Sequence, residues 1–196
     1  MIIKAVIFDL DGTITSPFFD FDAIRREMGL DPDSGPILEA MLKMTPADRK
    51  RTGHILTYHE NRAVAESTLN QGAAETLAAL RRNNINIGIL TRNKRCNAEA
   101  IAQKHNLIFD AVVDREDGPV KPDAFGVLKL CRQFAAAPAE TLVVGDYLYD
   151  LLSAKDAGAV AVLLKTHKEC DQFAEHADFT IDSLGKILDI IDDINR

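Results

Sequence analysis

Short apolar runs rich in β-branched residues recur along this chain, with helical stretches between them. Runs of this length are typical of strands buried on both faces of a parallel sheet. Because parallel neighbours need right-handed crossovers, the alternation permits few topologies. We therefore predict a doubly wound, Rossmann-like α/β fold. The predicted strands are residues 2–8, 85–90, 111–113, 141–144 and 160–164, and the predicted helices are residues 73–82, 97–105, 123–134, 148–157 and an amphipathic helix within 183–194.

Residues 17–70 interrupt this alternation, because no convincing strand lies among them. Thr45, Pro46 and Asp48 indicate the start of a helix, with an N-cap, a proline at the first helical position and an early acidic residue. The apolar face predicted for this helix consists of Ile55, Tyr58, Ala65 and Leu69. We therefore predict a core of residues 1–16 and 71–196, with a small helical cap of residues 17–70 inserted after the first strand.

Composition excludes several classes of protein. Of the 196 residues, 46% are hydrophobic, which is enough for a sizeable core and argues against disorder. The net charge of −7 argues against a nucleic-acid-binding surface, since phosphate backbones are bound by clustered Lys and Arg. Three scattered cysteines indicate neither a disulfide framework nor a CxxC site. The apolar run at residues 2–8 is too short to span a membrane, so we expect a cytoplasmic protein without a membrane partner.

Two carboxylates follow the first predicted strand. Asp9 and Asp11 lie at its carboxyl end, and Gly12 then permits a sharp turn. Ligands of open α/β sheets bind at such strand ends. Two neighbouring carboxylates repel each other unless a cation or a shared proton relieves them. A loop with acidic capping residues is an equally good interpretation of this pair alone.

Polar residues also follow later strands. Thr91, Arg92 and Asn93 offer hydroxyl, amide and backbone donors to a phosphoryl oxygen, although taken alone they are more typical of a helix cap. Lys121 would ordinarily be a surface lysine, and the pair Asp146 and Asp150 follows the strand at 141–144. Because a doubly wound sheet gathers its strand ends into one crevice, the ordered series predicts a single site.

These residues resemble the motifs of the haloacid dehalogenase superfamily, specifically its phosphatases with a helical cap inserted after the first strand. Residues 9–13 match the DxDGT motif, Thr91 the second motif, Lys121 the third and residues 145–150 the GDxxxD motif. The match covers almost the whole chain in the same order, and its first and fourth motifs are the specific ones. No motif is recognisable in residues 17–70.

The resemblance implies a phosphatase mechanism. Asp9 would attack phosphorus and form an aspartyl-phosphate, while Asp11 would protonate the leaving alcohol and then activate water. Mg²⁺ would be the cofactor, because it prefers hard oxygen ligands. The implied metal ligands are Asp9, the backbone carbonyl of Asp11, Asp146 and, directly or through water, Asp150; the implied phosphate-binding residues are Thr91, Arg92, Asn93 and Lys121.

The expected substrate is a small phosphorylated metabolite, with phosphoglycolate as the leading candidate by resemblance. We expect the cap to cover the crevice during turnover and to select the leaving group. Phe18, Arg49 and Arg51 are its candidate substrate-contacting residues, and a solvent-facing role for the two arginines is the plainer alternative. The sequence leaves a monomer and a homodimer equally open.

Two other activities and one non-catalytic role are alternatives to a phosphatase. Cleavage of a carbon–halogen bond is disfavoured, because it needs neither the acid at Asp11 nor the metal ligand at Asp146. A sugar phosphomutase stays open, since it uses the same aspartate pair. A non-catalytic binding protein on the same fold is the remaining alternative.

Overall fold

The computed structural model of the chain describes residues 2–31 and 33–196. They form two compact units. We call Met1–Pro17 together with Thr68–Arg196 the core unit, and Phe18–Ser67 the helical unit. Nowhere in residues 2–31 and 33–196 does a helix combine the length and the apolarity needed to cross a membrane.

The core unit contains six parallel strands: β1 (Ala5–Phe8), β2 (Asn86–Leu90), β3 (Ala111–Val113), β4 (Thr141–Gly145), β5 (Val160–Leu164) and β6 (Phe179–Ile181). Their order is β3-β2-β1-β4-β5-β6, with every pair parallel. The predicted doubly wound fold is therefore confirmed. Strand β6 was not predicted, because its three residues include the polar, exposed Thr180 and therefore form no apolar run.

The helices, in chain order, are α1 (Phe21–Met28), α2 (Ile37–Leu42), α3 (Pro46–Glu66), α4 (Ala73–Arg82), α5 (Arg95–His105), α6 (Phe125–Gln133), α7 (Leu148–Ala157), α8 (Cys170–Phe173) and α9 (Lys186–Asn195). Two short 3-10 turns lie at Pro138–Glu140 and Ala174–His176. The predicted bounds of α4 and α7 agree with the structure.

One predicted helix start is wrong. The helix expected at residues 123–134 begins at Phe125, two residues later. The carboxylate of Asp123 accepts a hydrogen bond from the Phe125 N–H at 2.8 Å, which satisfies a free donor at the helix start and leaves Asp123 outside the helix. The Lys121–Pro122 peptide bond is cis.

The crossovers place helices on both faces of the sheet. Chain progression from β1 to β3 runs towards one edge and from β4 to β6 towards the other, so right-handed crossovers put α4 and α5 on the face opposite α6 and α7. Ile7, Val143 and Leu163 pack with residues of α6 and α7 in one buried cluster. Strands β1 and β4 are buried along their whole length, and they form the rigid centre on which the candidate site lies.

The helical unit contains α1, α2 and α3 around a small apolar cluster of Ile24, Met28, Ile37 and Leu56. The predicted start of α3 is confirmed, because the Thr45 hydroxyl accepts a hydrogen bond from the Asp48 N–H. Its predicted apolar face is wrong.

The buried positions of α3 are Thr52, Leu56, Glu60 and Ala63. By contrast, Tyr58 is 57% exposed and Leu69 lies beyond the helix. The Thr52 hydroxyl is buried because it donates to the Asp48 carbonyl at 2.9 Å, and burial of satisfied polar side chains is invisible to hydropathy spacing.

Candidate active site

Asp9 lies at the centre of the sheet, directly after β1. Phe8 is in register with Ile89 of β2 and Val144 of β4, and the Asp9 N–H continues the ladder by donating to the Val144 carbonyl at 2.9 Å. The strand order reverses direction between β1 and β4. Asp9 therefore lies at the topological switch point, where open α/β sheets bind their ligands.

Gly12 makes the turn after Asp9 possible. Its φ is +94°, and a Cβ at this position would lie 2.4 Å from Asp146 Oδ2. The turn thus needs glycine for two reasons, since other residues would be strained there and would collide with a carboxylate of the site. Gly12 brings two motifs that are 134 residues apart in sequence into van der Waals contact.

Two residues outside the recognised motifs hold this turn. The Asn70 amide donates to the carbonyls of Gly12 (2.8 Å), Thr13 (2.8 Å) and Thr15 (3.1 Å). The Thr166 hydroxyl, which follows β5, donates to the same Gly12 carbonyl at 2.7 Å. Neither residue was predicted, because a side chain that binds main-chain carbonyls so far away along the chain leaves no local pattern in the sequence.

Lys121 bridges two carboxylates of the site. Its Nζ lies 2.5 Å from Asp9 Oδ1 and 2.5 Å from Asp150 Oδ1, and its side chain is only 4% exposed. Burial disfavours the charged amine, but the carboxylates of Asp150 and Asp9 outweigh this and raise the pKa of Lys121 above its usual value. The lysine is therefore a fixed positive charge, and the structure places it beside Asp9 and Asp150.

Asp9, Asp146 and Asp150 form a carboxylate cluster. Each offers an oxygen within 4.8 Å of the others. Burial, followed by repulsion from neighbouring carboxylates, raises the pKa of Asp146 to about 8; burial likewise raises the pKa of Asp9 to about 7, against the opposing effect of Lys121. Three hard oxygen donors beside a single lysine have the chemistry of a Mg²⁺ site, because a divalent cation would relieve their repulsion.

Asp150 has both of its oxygens engaged. Oδ1 accepts from Lys121, and Oδ2 accepts from the Tyr147 N–H at 3.1 Å in a cap at the start of α7. A Cβ on Gly145 would lie 2.1 Å from the Asp150 carboxyl carbon, so glycine is required beside it. Asp150 can therefore anchor Lys121 and still contribute charge to the cluster.

Asp11 is not a member of the carboxylate cluster, although its charge contributes to the raised pKa of Asp9. Its Oδ2 accepts a hydrogen bond from Asn93 Nδ2 at 3.1 Å. Asn93 follows β2 and is buried, so its amide reaches across from the neighbouring strand end. Asp9 and Asp11 thus have different surroundings, which is a requirement for two carboxylates with different roles.

Thr91 and Arg92 lie at the end of β2. The Thr91 hydroxyl is buried and accepts from the Asn93 N–H at 3.0 Å, which leaves its own proton available to a ligand. The Arg92 guanidinium donates to the Lys121 carbonyl and lies over the Tyr149 ring, 5.3 Å from its centroid. Arg92 therefore ties the Lys121 loop to the start of α7.

The candidate substrate residues of the helical unit have partners within that unit. Arg49 donates to the carbonyls of Met41 (3.0 Å) and Leu42 at the end of α2, and Arg51 donates to the Met28 carbonyl at the end of α1 (3.2 Å). The Phe18 ring lies 5.6 Å from the guanidinium carbon of Arg62. Their assignment to substrate selection stays a prediction.

The chain is similar to known hydrolases in sequence and to a predicted phosphatase in structure. A hydrolase of Saccharomyces cerevisiae, named as uncharacterized, is 30% identical over 203 residues, covering 99% of this chain and 93% of the relative. The pyrophosphatase PpaX of Bacillus cereus is 29% identical, with both chains fully covered. The crystal structure of a predicted phosphoglycolate phosphatase from Haemophilus somnus shares the fold, with a TM-score of 0.75 and 21% identity over 96% of this chain and 97% of that one.

The part of the chain that matches a known family contains nearly all of the residues of the candidate site. Residues 3–158 fit the family described as haloacid dehalogenase-like hydrolase, and this range includes every residue of the carboxylate cluster and the lysine that bridges two of its members. The predicted resemblance is thereby confirmed. The chain belongs to the haloacid dehalogenase-like hydrolase family.

Proposed function

We propose that this chain is a Mg²⁺-dependent phosphoric monoester hydrolase that acts on a small phosphorylated metabolite through an aspartyl-phosphate. The observation that carries the proposal is the buried Lys121 held between Asp9 and Asp150, with Asp146 completing the carboxylate cluster. A lysine placed in this way can neutralise a phosphoryl group beside the nucleophile.

Asp9 is the proposed nucleophile. Its carboxylate attacks phosphorus while the bond to the leaving oxygen breaks, and Lys121 offsets the repulsion between the carboxylate and the anionic phosphoryl group. Asp11 gives its proton to the leaving oxygen and later takes one from the water that hydrolyses the aspartyl-phosphate. The hydrogen bond from Asn93 supports this role, since it holds one oxygen of the Asp11 carboxyl in place.

The proposed metal ligands are the carboxylates of Asp9 and Asp146 and the backbone carbonyl of Asp11, with Asp150 acting directly or through water. Hard oxygen donors at three of these positions support this set. When bound, Mg²⁺ supplies positive charge to the transferring phosphoryl oxygens. We expect the carboxyl groups of Asp9 and Asp146 to lose their protons before the cation binds.

Thr91 and Lys121 are the proposed phosphate-binding side chains, supported by the available Thr91 proton and the charge of Lys121. The Arg92 and Asn93 side chains are engaged by the Lys121 carbonyl and by Asp11. We therefore propose that Arg92 holds Lys121 in place and that Asn93 holds Asp11 in place. A direct contact of either residue to phosphate would be an addition to that role.

Phosphoglycolate is the proposed substrate to test first. The name of the Haemophilus somnus structure supports this choice, and the name of the Bacillus cereus relative makes pyrophosphate the natural comparison. Phe18, Arg49 and Arg51 are the residues predicted from the sequence to contact the substrate. Because Arg49 and Arg51 donate to helix-end carbonyls, we propose these hydrogen bonds as their main role, to which a contact with a second negative group of the substrate would be an addition.

The test is a screen of phosphoglycolate, pyrophosphate and simple aryl phosphates with Mg²⁺ and after rigorous metal removal. We expect release of orthophosphate and the free alcohol, loss of activity without metal, and a loss of at least about a thousandfold in Asp9→Asn, because an amide is a poor nucleophile. Asp189→Asn, an exposed aspartate of α9, is the matched control. Full activity without metal, or wild-type rates in folded Asp9→Asn, would contradict the proposal.

A further inference from the structure

Two buried asparagines lie in series behind Asp11. Asn97 Nδ2 donates to Asn93 Oδ1 at 2.7 Å, and Asn93 Nδ2 donates to Asp11 Oδ2 at 3.1 Å. Asn97 is the third residue of α5, whereas Asn93 lies in the loop between β2 and that helix. The series therefore connects a helix of the fold to the proposed acid–base carboxyl.

The orientation of the Asn93 amide is fixed by a main-chain donor. The Lys94 N–H donates to Asn93 Oδ1 at 2.8 Å, and a backbone N–H can only donate. The atom facing Lys94 and Asn97 must therefore be the amide oxygen, which leaves the NH₂ group to face Asp11. A flipped amide would present its oxygen to the Asp11 carboxyl and repel it.

Water is a poor substitute for this arrangement. Asn93 is 5% exposed and Asn97 is 7% exposed, so an amide that lost its partner would remain buried without one. Asn97 supplies one of the two bonds that hold the Asn93 oxygen away from Asp11. Its removal would loosen the orientation of the Asp11 carboxyl without touching Asp9 or the carboxylate cluster.

We propose that Asn97 is a positioning residue for the reaction: together with the Lys94 N–H it holds the Asn93 amide, which in turn holds the Asp11 carboxyl in line with the leaving oxygen. This rests on the proposed phosphatase function. In the step concerned, the bond from Asp9 oxygen to phosphorus forms, the ester P–O bond breaks, and the Asp11 proton passes to the departing oxygen. The asparagines exchange no proton.

A misplaced acid has a distinctive kinetic signature. Its proton matters most for esters of weakly acidic alcohols and least for those whose leaving group departs readily as an anion. The ratio kcat/KM reports the steps up to release of the leaving group, so it excludes the later hydrolysis, in which Asp11 acts as a base. A general structural defect would instead lower kcat/KM for all esters by the same factor.

The variant Asn97→Asp tests this directly. It replaces the amide NH₂ by an oxygen that faces Asn93 Oδ1, while an acidic residue in the first turn of α5 remains favourable to the helix. Gln103→Glu is the matched control, because it makes the same change at an exposed position of the same helix. Asn97→Ala removes the donor without adding charge and serves as the second variant should the aspartate disturb folding.

The experiment measures kcat/KM with Mg²⁺ for a series of substituted phenyl phosphates, from phenyl phosphate to 2,4-dinitrophenyl phosphate. For the Asn97 variants we expect a loss of about 10- to 100-fold on phenyl phosphate and less than about threefold on the dinitrophenyl ester, with Gln103→Glu unchanged. Parallel losses along the series, or no loss, would overturn the positioning role and leave the proposed function intact. A wild-type protein inactive on every ester would instead overturn the proposed function itself.

Discussion

Basic side chains serve different ends in the two units. In the core unit, Lys121 is almost completely buried and bridges the carboxylates of Asp9 and Asp150. In the helical unit, Arg49 and Arg51 donate to main-chain carbonyls where α2 and α1 end. The first arrangement concentrates charge at a strand-end crevice, whereas the second satisfies carbonyls that a helix end leaves without partners.

Position in the fold decides the use of a basic residue more than its charge does. A parallel sheet brings the ends of distant segments together, so a lysine after one strand meets aspartates after two others. A short helix offers its own unpaired carbonyls nearby, and a neighbouring arginine can bind them without any ligand. Removal of basic residues from the two units should therefore have unequal consequences.

The largest effect is expected for Lys121→Met. It leaves buried carboxylates without their cation, which costs about 3–5 kcal/mol in the free energy of unfolding for metal-free protein and abolishes turnover. The cost should be smaller at pH 5 than at pH 8, because the raised pKa values of Asp9 and Asp146 allow these groups to hold protons at the lower pH.

The matched control for this lysine is Lys155→Met. Lys155 also pairs with an aspartate, Asp178, but both side chains are well exposed, and such pairs contribute about 0–1 kcal/mol. Denaturant unfolding at the two pH values measures both variants. Equal losses for the two lysines would mean that burial gives Lys121 no special role.

A second, intermediate effect concerns pH and Mg²⁺. With the pKa values of Asp9 and Asp146 raised to about 7 and about 8, the folded protein binds more protons than the unfolded chain between about pH 4 and pH 8. Stability of metal-free protein should therefore fall as pH rises through this window. Mg²⁺ binds the ionised groups, so its stabilising shift in Tm should be larger at pH 8 than at pH 5.

Melting curves measured with and without Mg²⁺ at pH 5 and pH 8 test this difference in the Tm shift. Asp146→Ala should shrink the shift at pH 8, because it removes one carboxylate of the cluster. A shift of the same size at both pH values, or one that survives unchanged in Asp146→Ala, would place cation binding elsewhere.

The smallest effects are expected for Arg49→Gln and Arg51→Gln. Each loses hydrogen bonds to helix-end carbonyls at an exposed position, for which we expect about 0.5–1.5 kcal/mol of stability and nearly proportional changes in kcat/KM on phosphoglycolate and on an aryl phosphate. A loss confined to phosphoglycolate would instead establish the substrate contact predicted from the sequence.

More of the secondary structure could be predicted from the sequence in the core unit than in the helical unit. Strands β1 to β5 and the helices α4 and α7 were predictable because apolar spacing and strand-end motifs are local signals. In the helical unit the start of α3 was predicted from such a signal, in Thr45 and its cap, whereas the bounds of α1 were not predicted although Asp20 caps its start and Gly29 follows its end. Its buried face was missed because Thr52 and Glu60 are polar.

The candidate site shows the same limit. Asp9 and Lys121 could be proposed as site residues from motifs, since these motifs follow successive predicted strands along the chain. The two asparagines that support the site, Asn70 at the Gly12 turn and Asn97 behind Asp11, could not be predicted. Asn70 binds carbonyls more than fifty residues before it, and Asn97 acts through another side chain, so both depend on contacts that only the folded chain creates.

The covalent step at Asp9 is the centre of this account, and rapid acid quench during turnover tests it most directly. The protein is mixed with substrate and Mg²⁺, quenched, digested under acid conditions and analysed by mass spectrometry. We predict one phosphoryl group on Asp9, formed at a rate that supports turnover and absent in Asp9→Asn. Steady hydrolysis with no phosphoryl group on the protein, or with the group on a residue other than Asp9, would contradict the account.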